Sequence, residues 1–186
     1  MKRNANRAAL LLLALLLLLP TAGAPARVSA QAGDGEDEVP RGELSEIRDK
    51  RRALLVVSRS LSVDTRGPAR AVMAEVFEGA RPAPRHDYAY DLVSKRIEKY
   101  ARQYGGLTAV ESVEEADFVI VYKVVTEHRS FSPDEPFVFG EMFVFLNRTP
   151  ERPQPVLLWR TKSDHAAPGD AVSDFIKSLK AVRGEK

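Results

Sequence analysis

Cysteine is absent from the 186-residue sequence. Its absence excludes disulfide bonds, thiol catalysis, thiolate metal sites and the attachment of a lipid through an N-terminal cysteine. Stability must therefore come from a hydrophobic core. The chain is long enough to form one, because a domain near 150 residues buries roughly 68–70% of its unfolded surface.

The sequence also lacks the short motifs that mark common active sites. It has no Gly-x-Ser-x-Gly elbow and no glycine-rich phosphate loop, and its three histidines are too far apart to form a helical metal pair. Ser163-Asp164-His165 contains the residue types of a hydrolytic triad, but adjacent side chains point in different directions and cannot relay a proton among themselves. We therefore assign no catalytic, cofactor-binding or metal-ligating residue and favour a non-enzymatic protein.

One enzymatic alternative stays open. His128 and His165 lie near predicted strand ends, each directly after an acid, Glu127 and Asp164 respectively, and His86 lies beside Asp87. If the fold brought His128 and His165 together with these carboxylates, the protein would be a hydrolase or a metal-assisted enzyme. Solvated histidines at strand edges and in loops are the more common arrangement.

The N-terminus has the pattern of a secretory signal peptide. Lys2, Arg3 and Arg7 precede twelve apolar residues, 8–19, and small residues follow up to Ala30. Twelve helical residues span only about 18 Å, against a hydrocarbon core of roughly 30 Å. We expect residues 1–30 to be cleaved, and the protein to be exported to the periplasm or the extracellular space without a stable membrane anchor.

Removal of the signal peptide changes the charge of the protein. The whole chain has 28 basic and 26 acidic residues, and four of the basic ones lie in the first thirty positions. The mature part therefore has 24 basic residues against 26 acidic ones, a net charge of −2. It lacks the basic excess that drives binding to nucleic acid, so no nucleic-acid partner is expected.

Residues 31–48 are predicted to be a flexible acidic leader, because Gly33 to Glu38 has almost no apolar side chain to bury. Residues 49–186 are predicted to form a single α+β domain. Strands are expected where apolar or β-branched residues run together or alternate. These predicted strands are 53–58, 107–110, 118–125, 137–146 and 156–162.

Two helices are predicted from apolar residues at three- and four-residue steps. The first is expected to start at Asp87 as N-cap and to stop at Gly105-Gly106, and the second to run from Asp170 to Gly184. The segment 71–77 fits a helix face but is too short to assign. The element order favours a two-layer α+β sandwich, with a mixed, mostly antiparallel sheet and two main helices on one face.

Two features of this layout remain open. The apolar second face of the sheet needs a cover, for which segment 71–77, the proline-rich loop after it and a partner are all candidates. The alternate phenylalanines of 137–145 are expected to be core residues beneath the two helices, and the alternative is a groove for an apolar ligand or a partner strand.

The helix with its Gly-Gly stop and the strand Ala116-Asp117-Phe118-Val119-Ile120-Val121-Tyr122 resemble small exported bacterial domains of unknown function. The resemblance covers residues 90 to 182. Many of those domains are outer-membrane lipoproteins, whose anchoring cysteine this sequence lacks. The resemblance implies a cell-envelope setting and no catalytic residues.

These observations favour an exported, non-enzymatic domain that binds an envelope protein or a small apolar ligand. No cofactor is predicted, and the sequence leaves the oligomeric state open.

Overall fold

The computed structural model describes residues 39–59, 68–79, 88–128 and 137–186. Within these residues a short 3₁₀ helix spans Leu44–Ile47. The α-helices are α1 (Pro68–Glu78), α2 (Tyr88–Tyr104) and α3 (Pro168–Arg183), and the strands are β1 (Arg52–Ser58), β2 (Thr108–Val110), β3 (Phe118–His128), β4 (Phe137–Leu146) and β5 (Val156–Arg160).

The described strands form one mixed sheet in the order β2-β1-β3-β4-β5. β1 is parallel to both β2 and β3, whereas β3–β4 and β4–β5 are antiparallel. The predicted meander of the last three strands is confirmed. The parallel position of β1 beside β3 requires a crossover, since a short turn can join only antiparallel strands. The predicted α+β class is confirmed.

The first face of the sheet packs against α2 and α3, as predicted. Phe118, Ile120 and Tyr122 of β3 point to this side and are fully buried, together with Val93 of α2 and Phe175 of α3. Trp159 of β5 packs on Phe175 with ring centroids 5.6 Å apart. Burial of such aromatic and branched side chains is the main source of stability of this layer.

The second face is covered by α1, which settles the open question of segment 71–77. Val72 and Val76 of α1 are 1% exposed and belong to a second core with Val119 and Val121 of β3. Pro68 begins the helix. Proline suits a first helical position because an N–H at that position would have no intrahelical acceptor. The sheet therefore has helices on both faces, with two main helices on one of them.

The ends of α2 and α3 agree with the prediction at one end and differ at the other. Gly105 and Gly184 follow the helices with φ of 63° and 70°, the left-handed conformation expected of stop glycines. Asp170 is not the N-cap of α3, because the helix begins at Pro168 after Ala167 and Asp170 lies in its first turn. The predicted N-cap of α2, Asp87, lies outside the described residues.

Residues 39–48, which the composition places in the acidic leader, are part of the folded structure. Arg41 pairs with Leu157 at the β5 edge, where Leu157 N–H donates to Pro40 O at 2.8 Å. Ile47 is fully buried in the first core. Residues 31–38 of the predicted leader lie outside the described part.

Candidate functional site

Of the three histidines, only the side chain of His165 falls within the described part of the structure. It lies on an exposed turn after β5, and its Nδ1 is 3.1 Å from Oδ1 of Asp164. This hydrogen bond lowers the pKa of Asp164. The Ser163 hydroxyl accepts a hydrogen bond from the backbone N–H of His165, not from its ring. Ser163-Asp164-His165 therefore forms an exposed turn, and its side chains are not arranged as a catalytic triad.

The remaining residues of the enzymatic alternative are not brought together by the described structure. His86 and the side chain of His128 lie outside the described residues, and Glu127 forms an ion pair with Arg59, which follows β1. Within the described ranges, no three His, Asp or Glu side chains come close enough to one another to hold a metal ion. The alternative gains no support from this geometry.

Two of the four phenylalanines of β4, Phe143 and Phe145, belong to the core, but to the layer opposite the one expected. Phe137 is 60% exposed and Phe139 is half-buried, so the prediction of a core position is wrong for Phe137. Phe143 and Phe145 are fully buried beneath α1, where Phe77 contacts Phe145 edge-to-face with centroids 5.9 Å apart. The prediction of phenylalanines beneath the two main helices is wrong for both, because Met142 and Val144 take that side of the strand. Since both rings are buried, they cannot line an open groove.

Glu141 is a buried acid that the sequence patterns did not single out. It lies on β4 with 5% of its surface exposed, and its Oε1 is 3.4 Å from Nη2 of Arg160. Its Oε2 is buried and has no hydrogen-bond partner in the described structure. Burial raises the pKa of Glu141, while the charges of Arg160 and Lys123 oppose that rise and Asp164 adds to it. The signal available in the sequence was a lone acid inside an apolar strand.

A second set of polar contacts fixes the start of the parallel strands. Asp117 Oδ2 accepts backbone hydrogen bonds from Arg51 and Arg52 at 3.0 and 2.9 Å, and its Oδ1 binds the Arg52 guanidinium. Partial burial raises the pKa of Asp117, but these hydrogen bonds outweigh it and the pKa is lowered. The Ala-Asp pair before the strand therefore has a structural role.

The outer surface of the helix layer has a groove between α2 and α3, with a cavity of about 200 Å³. It is lined by Arg96, Lys99, Tyr100, Gln103 and Tyr104 of α2, and by Ser173, Ile176 and Lys180 of α3. We call this the basic groove, because every charged side chain in that lining is a cation. Its apolar surface comes from the two tyrosines and Ile176.

Internal contacts hold the basic groove in shape. Arg96 Nη1 donates to Ser173 Oγ at 2.9 Å, which joins the two helices. Lys180 Nζ lies 4.6 Å from the centroid of the Tyr104 ring, a favourable cation–π contact. Tyr100 is buried, and its hydroxyl donates to Glu185, an acid that lines a neighbouring cavity and not the groove. Burial, with this hydrogen bond, raises the pKa of Tyr100 to about 12.

The neighbouring cavity, of about 330 Å³, lies at the C-terminal ends of α2 and α3. Its central residue is Arg183, whose guanidinium donates to the carbonyl oxygens of Gly106 and Lys50 at 2.9 and 2.5 Å. Through these hydrogen bonds Arg183 ties the helix ends to the segment just before β1. Its charged lining residues are the acids Asp49 and Glu185 and the cations Arg48, Arg51 and Arg183, so its charge is nearly balanced.

No family model matches the chain, and no curated protein matches it. Three solved structures are similar in part. A PelC dodecamer from Paraburkholderia phytofirmans has 12% identity and a TM-score of 0.31, with 77% of this chain and 92% of that chain covered.

The other two are the hypothetical protein CT253 from Chlamydia trachomatis and the protein XCC0632 from Xanthomonas campestris, of the family DUF330. CT253 has 13% identity and a TM-score of 0.29, covering 73% of this chain and 96% of its own. XCC0632 has 12% identity and a TM-score of 0.27, covering 79% and 83%. Such values establish neither a shared fold nor a shared function.

No helix within the described residues has both the length and the apolar character needed to cross a bilayer.

Proposed function

We propose that this protein is an exported, non-enzymatic domain of the cell envelope that binds an acidic protein partner through the basic groove. The observation that carries the proposal is the composition of the groove: an apolar floor with cationic side chains from both helices and no acid among the described residues that line it. An anionic segment with some apolar side chains complements such a surface in charge and in polarity. A purely apolar ligand would offer these cations no opposite charge.

The position of the groove supports a binding role. It lies on two helices whose opposite sides are anchored in the first core by Val93, Ile97, Phe175 and Leu179. A groove on rigid elements needs little reordering when it binds, so less free energy is lost on association. Electrostatic attraction then sets the choice of partner and speeds encounter.

The direct test uses a fluorescent peptide of alternating glutamate and leucine as probe. We expect the protein to bind it, and the groove variant Lys99→Gln/Lys180→Gln to bind it roughly tenfold more weakly, since each exposed charge pair contributes about 0.2–1 kcal/mol. Fluorescence anisotropy at low salt measures both affinities. Raising the salt concentration should weaken binding to the unchanged protein.

The matched control is Lys50→Gln/Lys162→Gln, which removes two exposed lysines outside the groove lining. This control variant should bind the probe as the unchanged protein does. Equal weakening by both double substitutions would show that only net charge matters, and would refute the groove as the binding site.

A further inference from the structure

We propose that the partner of the basic groove is a second copy of this chain, whose acidic turn 111–115 enters it. This inference rests on the proposed function, because it names the occupant of the same groove. The acidic turn consists of Glu111, Ser112, Val113, Glu114 and Glu115, between β2 and β3. Glu114 and Glu115 are exposed and Val113 is half-buried, so the turn has the mixture of charge and apolar surface that the groove complements.

The acidic turn is held in one conformation by the rest of the fold. Asn147, which is 7% exposed, donates from Nδ2 to the carbonyl oxygens of Val113 and Ala116, the latter at 2.8 Å. Ala116 N–H also donates to Val113 O at 3.2 Å. A turn that is already ordered loses little conformational entropy on docking, which favours association.

Two arginines near the acidic turn form their hydrogen bonds with residues outside it. Arg52, which Glu115 influences electrostatically, is bound by Asp117 at 2.9 Å. Arg148 donates to the carbonyl oxygen of Phe77 at 2.9 Å. The turn also lines a cavity of about 380 Å³ at the end of α1, where the charged lining residues in the described part of the chain are Glu78, Glu111 and Glu114. This part of the described surface is therefore acidic, as the groove is basic.

The two surfaces lie on different sides of the molecule. The acidic turn lies beside the end of α1 on the second face of the sheet, whereas the basic groove lies on the helix layer that covers the first face. One molecule can therefore use both surfaces at once, each with a different neighbour. Such a head-to-tail contact gives a ring if its rotation closes and an open chain if it does not.

The test is sedimentation velocity at low salt over a concentration series, on protein purified from cells that express the full chain. We expect the unchanged protein to self-associate. The groove variant and the turn variant, Glu114→Gln/Glu115→Gln, should each associate roughly tenfold more weakly, because either substitution removes one side of every contact. Asp49→Asn/Glu151→Gln, which removes two acids outside the turn, should associate normally.

A mixture of the two variants gives the most specific result. The groove variant keeps an intact turn and the turn variant an intact groove, so one of each can form a single contact. We expect a 1:1 heterodimer and no larger species. Larger species in the mixture, or a turn variant that associates as strongly as the unchanged protein, would overturn the inference.

The outcomes separate this inference from the proposed function. If the protein binds the acidic peptide through the groove but stays monomeric at every concentration, the groove is a binding site and its partner is not a second copy. If the groove variant retains both peptide binding and self-association, both proposals are wrong. Circular dichroism of each variant confirms that the substitutions leave the fold intact, and the single substitutions Lys99→Gln and Glu114→Gln replace any double variant that unfolds.

Discussion

Glu141 shows how one residue can make stability depend on pH. Burial raises its pKa, so the folded state holds a proton that the unfolded state has already released. The bound proton therefore stabilises the folded state. This contribution to the free energy of unfolding is fully present below the pKa of an unfolded glutamate and is lost as the pH rises through the higher pKa of the folded state. The charged groups that act on it are Arg160, Asp164 and Lys123, and burial outweighs the two cations.

The substitution Glu141→Gln should therefore stabilise the protein at neutral pH. Glutamine has the same shape and needs no proton to be neutral, so the variant should have the higher melting temperature at pH 8 and a similar one near pH 4. Thermal denaturation of both proteins across this range measures the difference. Glu98→Gln, at an exposed position of α2, should leave the pH dependence unchanged. A variant less stable at pH 8 would mean that the Arg160 contact outweighs burial.

Asn147 is a buried polar residue that determines the shape of the acidic turn. Its amide donates two hydrogen bonds to backbone carbonyls at that turn. In Asn147→Ala the Ala116 carbonyl loses this donor and the Val113 carbonyl keeps only the N–H of Ala116, so we expect the free energy of unfolding to fall by roughly 1–3 kcal/mol. Urea denaturation measures the loss. The exposed control Gln154→Ala should stay within about 0.5 kcal/mol of the unchanged protein.

At the scale of elements, helix α1 is what covers the second face of the sheet. Its apolar residues 72, 76 and 77 were visible in the sequence, but a stretch of this length does not separate a helix from a strand. The sheet shows why this segment is a helix. Both faces of β3 are apolar, so a second layer is needed, and a helix starting at Pro68 supplies it.

Phe77→Ala tests this packing. Removing a 7%-exposed ring that contacts Phe145 should lower the free energy of unfolding by roughly 3–5 kcal/mol. Phe137→Ala provides a matched control, because Phe137 is the same residue type at 60% exposure and should change stability by less than about 0.5 kcal/mol. Similar losses in the two variants, measured by urea denaturation, would contradict the assignment of α1 as the second-face cover.

At the scale of the whole molecule, the proposed cleavage after Ala30 changes both length and charge. The precursor has a net charge of +2, and the mature chain would have −2. We expect protein recovered from the periplasm or the medium of an expressing bacterium to begin at Gln31 by mass spectrometry and to bind an anion exchanger above neutral pH. Recovery of the intact chain only from the cytoplasm would contradict export.

The net charge of the whole molecule does not show how its charged side chains are distributed. The net charge of −2 that cleavage would leave suggests no strong preference for a partner, yet the fold places cations in the basic groove and acids at the turn. Lys99 and Lys180 are 81 positions apart and Glu114 lies between them in the sequence, so no local pattern predicts this separation. It arises only when α2 and α3 pack side by side.

Local physical chemistry made part of this protein predictable from its sequence. Alternation and apolar runs predicted the strong strands, three- and four-residue steps predicted α2 and α3, and glycine identified where both helices stop, because each of these signals acts over a few neighbouring residues. The tertiary structure decided the rest: which face received Phe143 and Phe145, what covered that face, and how deeply Glu141 was buried. These features depend on contacts between residues far apart in the chain, as does the separation of charge between groove and turn.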